Sequence, residues 1–300
     1  MSLCKDNIAD FCHDGELQEF MYLTEFSAAL DALPTMPDLP VTQKKLLDDL
    51  FAGHIGLETL SERIDDLMKV PNPVPALNRY IFTAFQPYRV FLNADTVINS
   101  DINERQYFRN YVVQLLRGAL LIHNIPYAWG EINVPAVAYR KAKDVDATGR
   151  GKFADGSSEV DGHQIILSES SKLYRATAVK DLDDRMRLKR MLRDLFNFTT
   201  LQMTRNKVRA GPKLVVFGTR TYRDTTELIA MDYHGMYRAY CLGSFKIAAT
   251  ANALANLKES FEMRLRFAAA VKEQAHQRSK MGSLRDVEVL KLMQAAKKCC

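Results

Sequence analysis

Cysteine is scarce in this chain, and no pair has the C-x-x-C spacing. Five thiols (Cys4, Cys12, Cys241, Cys299 and Cys300) form an odd, scattered set, which argues against a disulfide framework and for a reducing compartment. Cys12-His13 has no second ligand pair at zinc-finger distance, and a structural zinc normally needs four ligands. Apolar runs end after a few residues, far short of the ~20 that span a bilayer. Met1 to Asp6 reaches an acid at once and no apolar stretch follows, so a secretory signal is not expected. The expectation is an intracellular protein, cytoplasmic or nuclear, without a transmembrane segment. G-x-S-x-G, P-loop, H-E-x-x-H and dinucleotide fingerprints are also missing, which removes the chemistries that depend on them. There is one tryptophan, Trp129, and a core position is expected for it. Internal repeats and low-complexity tracts are absent too.

What is present is ordinary globular material. Hydrophobic content of 47% and charged content of 26% permit a buried core, and 300 residues suit one large or two modest domains. The first seventy residues read as helices. Leu17, Phe20, Met21, Leu23, Phe26, Leu30 and Leu33 recur at near-helical spacing, and a second helix follows the breaker run from Pro34 to Pro40. Leu57, Leu60, Ile64 and Leu67 mark a third. Prolines 71, 73 and 75 then stop helix, because they remove donors and bias the preceding residues away from αR. The expected organisation is a helical module over 1–75, an α/β core over 76–250 and helices over 251–300.

In the core, the pattern predicts a helix from Asn103 to His123, with Phe108, Tyr111, Val112, Leu115, Ala119 and Leu120 on the face that Glu104 shares. A strand-like run from Tyr127 to Val134 follows, then a polar, glycine-rich loop over 140–158. Two strands forming a hairpin are expected at Glu159–Leu167 and Leu173–Lys180. A long helix from Asp183 to about Asn206 comes next, then a strand at Lys213–Gly218. The runs Thr226–Tyr233 and Gly235–Leu242 are joined by a turn at His234-Gly235. Interleaved strands and helices imply an α/β layered domain with a mixed sheet flanked by helices.

Charge is unevenly spread. Between Lys172 and Lys213 there are twelve Lys and Arg against four Asp. Such a block supplies phosphate contacts or a solvated helix face. On the nucleic-acid reading, Arg185, Lys189, Arg190 and Arg193 line the approach. Gly149-Arg150-Gly151-Lys152 is basic and glycine-rich, but without a strand-to-helix context it reads as a loop.

A nuclease that uses a hard cation needs convergent carboxylates, and a lysine to orient water or steady phosphate charge. Glu104 lies near the start of the first core helix, Asp161 within Glu159-Val160-Asp161-Gly162, and Lys180 at the end of Thr177-Ala178-Val179-Lys180. Each also has an ordinary reading: helix-dipole acid, turn pair and strand end. His163, beside Asp161, reads as structural. Over roughly residues 100–220 this arrangement resembles the PD-(D/E)XK, restriction-endonuclease-like superfamily. The resemblance implies an αβββαβ core and a Mg²⁺ or Mn²⁺ ion held by strand acids. It implies Asp161 as first metal ligand with Glu159 beside it, Lys180 as catalytic lysine and Glu104 as helix acid. The chain departs from that pattern at Ala178, where the superfamily has an acid two residues before the lysine. Either another acid (Glu159, Glu131 or Asp181) fills the place, or the core has lost catalysis and kept its shape.

The functional expectation is a nucleic-acid-binding protein with a restriction-endonuclease-like core, a metal-dependent nuclease either active or degenerate. The alternative is a non-enzymatic nucleoprotein, effector or assembly protein that binds nucleic acid through the basic helix and proteins through its helical ends. A purely protein-binding scaffold differs in one respect: its basic block would face other side chains rather than an open groove. Lys297-Lys298-Cys299-Cys300 resembles the double-cysteine end of Rab-type prenylated proteins. Nothing else resembles a GTPase, so the pair reads as exposed thiols.

Overall fold

The structure is a computed structural model and describes residues 8–12, 35–53, 55–69, 75–91, 102–143, 153–171, 177–208 and 214–280. The helix expected over 17–33, the basic loop over 149–152 and the C-terminal helix with Cys299-Cys300 lie outside these residues.

Helices α1 (Val41–Leu50), α2 (Leu57–Lys69) and α3 (Pro75–Phe91) occupy the N-terminal third. That third is not wholly helical, because β1 (Ile8–Asp10) joins the sheet. Helix α4 is composite: Glu104–Tyr107, a π-helical stretch Phe108–Val113, and Gln114–Leu121. Then come β2 (Tyr127–Asn133), α5 (Pro135–Lys143), β3 (Phe153–Val160), β4 (His163–Ser170) and the 28-residue α6 (Ala178–Arg205). Strands β5 (Val216–Tyr222), β6 (Thr225–Tyr233) and β7 (Tyr237–Lys246) precede α7 (Asn256–Ser279).

These strands form one mixed seven-stranded sheet in the order β1-β7-β6-β5-β4-β3-β2, flanked by helices on both faces. β1 runs parallel to β7 and β4 parallel to β5, and the other pairs are antiparallel. A parallel pair needs a crossover, and α6 supplies it between β4 and β5. Period-2 alternation divides the strands between two apolar cores. Ile166, Phe217, Leu228, Ala230 and Tyr240 face the larger core, with α1 to α4 and α7. Leu167, Val216, Ile229, Met231 and Ala239 face the smaller one, with Leu188, Met191, Leu192 and Leu195 of α6. The larger cluster runs from Ala9 through Leu47, Ile64 and Tyr80 to Val271, so residues on both sides of the proline run share one core.

Two sequence expectations fail in the middle of the chain. Residues 153–158 are strand rather than loop, because Asp161 and Gly162 both take positive φ (52° and 76°). That is the primed hairpin turn, and it joins β3 to β4 rather than lying inside one strand. The run expected as strand over 173–180 ends in helix. The Thr177 hydroxyl accepts a hydrogen bond from the Lys180 amide at 3.2 Å, capping α6 and drawing residues 178–180 into its first turn. Residues 172–176 lie outside the described set.

Candidate functional site: an acid cluster at the carboxyl end of strand β4

The predicted residues do not assemble as expected. Lys180 and Glu104 do meet: Lys180 Nζ donates to Glu104 Oε2 at 2.8 Å. Asp161, however, sits in the β3–β4 turn, six residues along β3 from Asp155 of the Glu104–Lys180 neighbourhood. At about 3.3 Å of rise per residue this is on the order of 20 Å away. Asp161 is exposed, and so is Glu159 near the same turn. Glu131 bonds Arg105, and Asp181 bonds Arg220 Nη1 at 2.5 Å. The Asp161 end of the sheet carries a separate hollow, lined by His163, Asn206 and Arg278 among others. There His163 Nδ1 lies 2.8 Å from Gln202 Oε1.

The acids that do converge come from elements adjoining the carboxyl end of β4. Asp155 stands near the start of β3, and its Oδ2 accepts the Ser170 amide at 2.8 Å. Glu169, 1% exposed on β4, is paired with Arg187. Asp184 lies one turn along α6 from Lys180, 4.0 Å from its Nζ and 3.3 Å from Arg187. Glu104 reaches in from the first turn of α4, where Asn103 caps the helix by accepting the Gln106 amide at 2.9 Å. Four carboxylates thus face two cations, Lys180 and Arg187.

The electrostatics record that imbalance. Burial pushes the Asp184 carboxyl up to about 6; Lys180 opposes the rise, while Glu104 and Asp155 reinforce it. Burial also raises Asp155, against the Ser170 amide and with Glu104. Burial works against the Lys180 ammonium, but its bond to Glu104 and the charges of Glu104, Asp184 and Asp155 outweigh this and raise its pKa. Two buried acceptor atoms, Glu169 Oε1 and Asp184 Oδ2, have no hydrogen-bond partner. Among the described residues, no three acidic, His or Cys side chains stand close enough as placed to hold a metal ion.

Beside the cluster opens a cavity of about 410 Å³, lined by Glu104, Asp155, Phe108, Trp129, Arg105 and Glu131 among others. Trp129 is not a core residue: it is 39% exposed, on the sheet-edge strand β2. The Arg109 guanidinium lies 5.6 Å over its ring.

The basic helix does not present its charges as expected. Lys189 is completely buried and ion-paired with Asp10 of β1, because α6 packs that side of its surface onto the sheet. Arg193 bonds Asp194 at 3.1 Å and its side chain is 16% exposed, and Arg185 and Arg190 are half-buried. Among the described residues of the block, Lys180, Arg187, Lys189 and Arg193 face acidic side chains, whereas Arg205 and Lys207 are exposed.

Sequence reasoning missed Asp155, Glu169 and Asp184. The signal for the first two was the Asp161-Gly162 turn: taken as a hairpin, it makes 153–160 a strand against β4, and the register shift between Ser158 and Glu159, which the sequence does not announce, sets Asp155 level with Glu169. Among the described residues, no helix is long and apolar enough to cross a membrane. Compared with family models, curated proteins and solved structures, the chain matches none.

Proposed function

We propose that residues 104–222 form a restriction-endonuclease-like core and that the chain is a metal-dependent phosphodiesterase acting on nucleic acid. The observation that carries this reading is the convergence of Glu104, Asp155, Glu169 and Asp184 on one end of the sheet, with Lys180 among them. The run of elements supports it in part: a helix, the antiparallel strands β2, β3 and β4, the crossover α6 and the parallel strand β5 follow the αβββαβ order once helix α5, between β2 and β3, is taken as an insertion. In an open α/β sheet, ligands bind beyond the carboxyl ends of the parallel strands, and the cluster adjoins that end of β4.

The donor set is all oxygen, which suits Mg²⁺ or Mn²⁺ over softer ions. Two buried acceptors, Glu169 Oε1 and Asp184 Oδ2, have lone pairs free for a cation. Glu104, Asp155 and Glu169, not close enough as placed, would hold the ion if their side chains closed on it as Lys180 and Arg187 release Glu104 and Glu169. When bound, it supplies a water of lowered pKa and screens the phosphate. Lys180, released from Glu104 and still beside Asp184, would neutralise charge that builds on the phosphate oxygens. Arg187 holds Glu169 against α6 until that exchange.

The test is cleavage of labelled single- and double-stranded DNA and RNA with Mn²⁺. Asp155→Asn and Glu169→Gln should abolish cleavage, and Asp161→Ala should leave it intact. Cleavage lost in Asp161→Ala but kept in Asp155→Asn would refute this placement of the site. No cleavage by the parent on any of the four substrates would refute the enzyme reading and favour a core retained for its shape.

A further inference from the structure

The geometry points to a stacking subsite at Trp129 for an unpaired nucleobase next to the scissile phosphate. The inference rests on the proposed phosphodiesterase reading and names its substrate class, single-stranded nucleic acid or an unpaired end. Trp129 and the acids Glu104 and Asp155 line the same cavity. A phosphate at the acids therefore puts its neighbouring base within reach of the indole. At about 410 Å³ the cavity falls in the range of pockets that enclose one small ligand, and it is too small for a duplex.

The local backbone keeps the indole at the cavity wall. β2 is an edge strand whose pairing with β3 is irregular between Trp129 and Ile132, and Gly130 takes φ +117°. A bulge of this kind re-aims the adjoining side chain, here away from a packed position. Phe108, in the π-helical stretch of α4, forms apolar wall beside it. The π stretch also belongs to the element that carries Arg109 to the indole ring.

Charge on this wall is opposite to that of the acid cluster. Arg109 lies over Trp129, and Arg105 lines the cavity in an exposed pair with Glu131. Exposed pairs of this kind hold weakly, so Arg105 exchanges Glu131 for a backbone phosphate at little cost. Aromatic stacking accepts any base, because each has a π face, whereas a base inside a duplex has both faces covered by its neighbours. The subsite therefore selects for unpaired strands without reading sequence.

Trp129 is the only tryptophan in the chain, so its fluorescence reports this subsite directly. The experiment titrates the full chain, without divalent cation so that nothing is cut, with ten-nucleotide single-stranded DNA, the matching RNA, and a blunt duplex of the same sequence. Saturable quenching by either single strand, and weaker binding of the duplex, is expected; the two single-stranded arms tell which sugar is preferred. Trp129→Phe should keep single-strand affinity within about threefold, and Trp129→Ala should lose roughly 5- to 150-fold with unchanged thermal melting, both read by fluorescence anisotropy. Binding without quenching, equal quenching by duplex, unchanged affinity in Trp129→Ala, or no binding by any strand would overturn the subsite. Cleavage of the same strands with Mn²⁺ is scored separately. Cutting without quenching removes the subsite and keeps the enzyme, whereas quenching without cutting keeps the subsite and removes the enzyme.

Discussion

Lys189→Met tests the internal role of the basic helix most directly. Lys189 Nζ is fully buried against the Asp10 carboxylate, which joins α6 to the three-residue strand β1. Burial pushes the Asp10 carboxyl up. The Lys189 charge and hydrogen bond more than offset this, aided by the Cys12 amide, which donates to Oδ1 at 3.0 Å. The net value lies below the ordinary one, so in the parent this group adds stability above pH ~4 that is lost as pH falls through its folded pKa. Removing the ammonium leaves a buried carboxylate with the Cys12 amide as its closest remaining support. Breaking one side of such a pair costs about 3–5 kcal/mol. The sign of the pH dependence should also invert: burial then dominates, Asp10 titrates high, and the deficit grows from pH 5 to pH 7. Urea unfolding followed by circular dichroism measures this. Asp10→Asn combined with Lys189→Met should recover about 2 kcal/mol relative to the sum of the single variants. A single variant within 1 kcal/mol of the parent at pH 7, or a coupling below about 0.5 kcal/mol, would refute the buried-pair account. If instead stability holds and the salt dependence of nucleic-acid binding falls by about one ion, Lys189 is a surface phosphate contact after all.

The acid cluster makes a second pH prediction of opposite sign. Asp155 and Asp184 (the latter about 6) are raised, so the folded chain binds more protons than the unfolded one between pH ~4 and ~6. Their contribution to stability falls as pH rises through that window. Calorimetry should show Mn²⁺ raising Tm at pH 7.5 and not at pH 4.5, with a gain of about 2.7 kcal/mol at a hundredfold excess over Kd. Asp155→Asn should melt higher than the parent without metal and lose most of the Mn²⁺ response. Thr177→Ala should cost about 1 kcal/mol in urea, since it removes the α6 cap at the turn that carries Lys180. Gly156→Ala should cost about 1–3 kcal/mol: the new Cβ falls 1.9 Å from Tyr127 Oη, which donates to Ser168 Oγ at 2.8 Å. An unchanged urea midpoint would show that the Tyr127 ring moves freely.

Local pattern determined much of the fold by itself. The apolar stripe of α4 and the β6–β7 hairpin through His234-Gly235 stand close to where periodicity and turn chemistry put them, while the strand expected at Lys213–Gly218 is shifted to Val216–Tyr222. These are short-range properties, set by side-chain spacing and backbone preference within one element. The family resemblance put Glu104 and Lys180 in one site without pairing them; the structure pairs them, 76 residues apart, with Lys180 on a helix rather than a strand. What tertiary structure decided is which charges face inward together. Asp155 lies in a polar, glycine-rich stretch that resembles a loop, and only pairing across the Asp161-Gly162 turn makes it strand and sets it beside Ser170. Lys189 is indistinguishable from its basic neighbours in sequence, and only the docking of α6 against the sheet and β1 buries it. Trp129, expected in the core, is held at a cavity wall by an edge-strand irregularity. Burial and like-charge crowding are sums over elements distant in the chain, and they set the protonation of Asp155 and Asp184; a window of sequence contains only one partner of each contact.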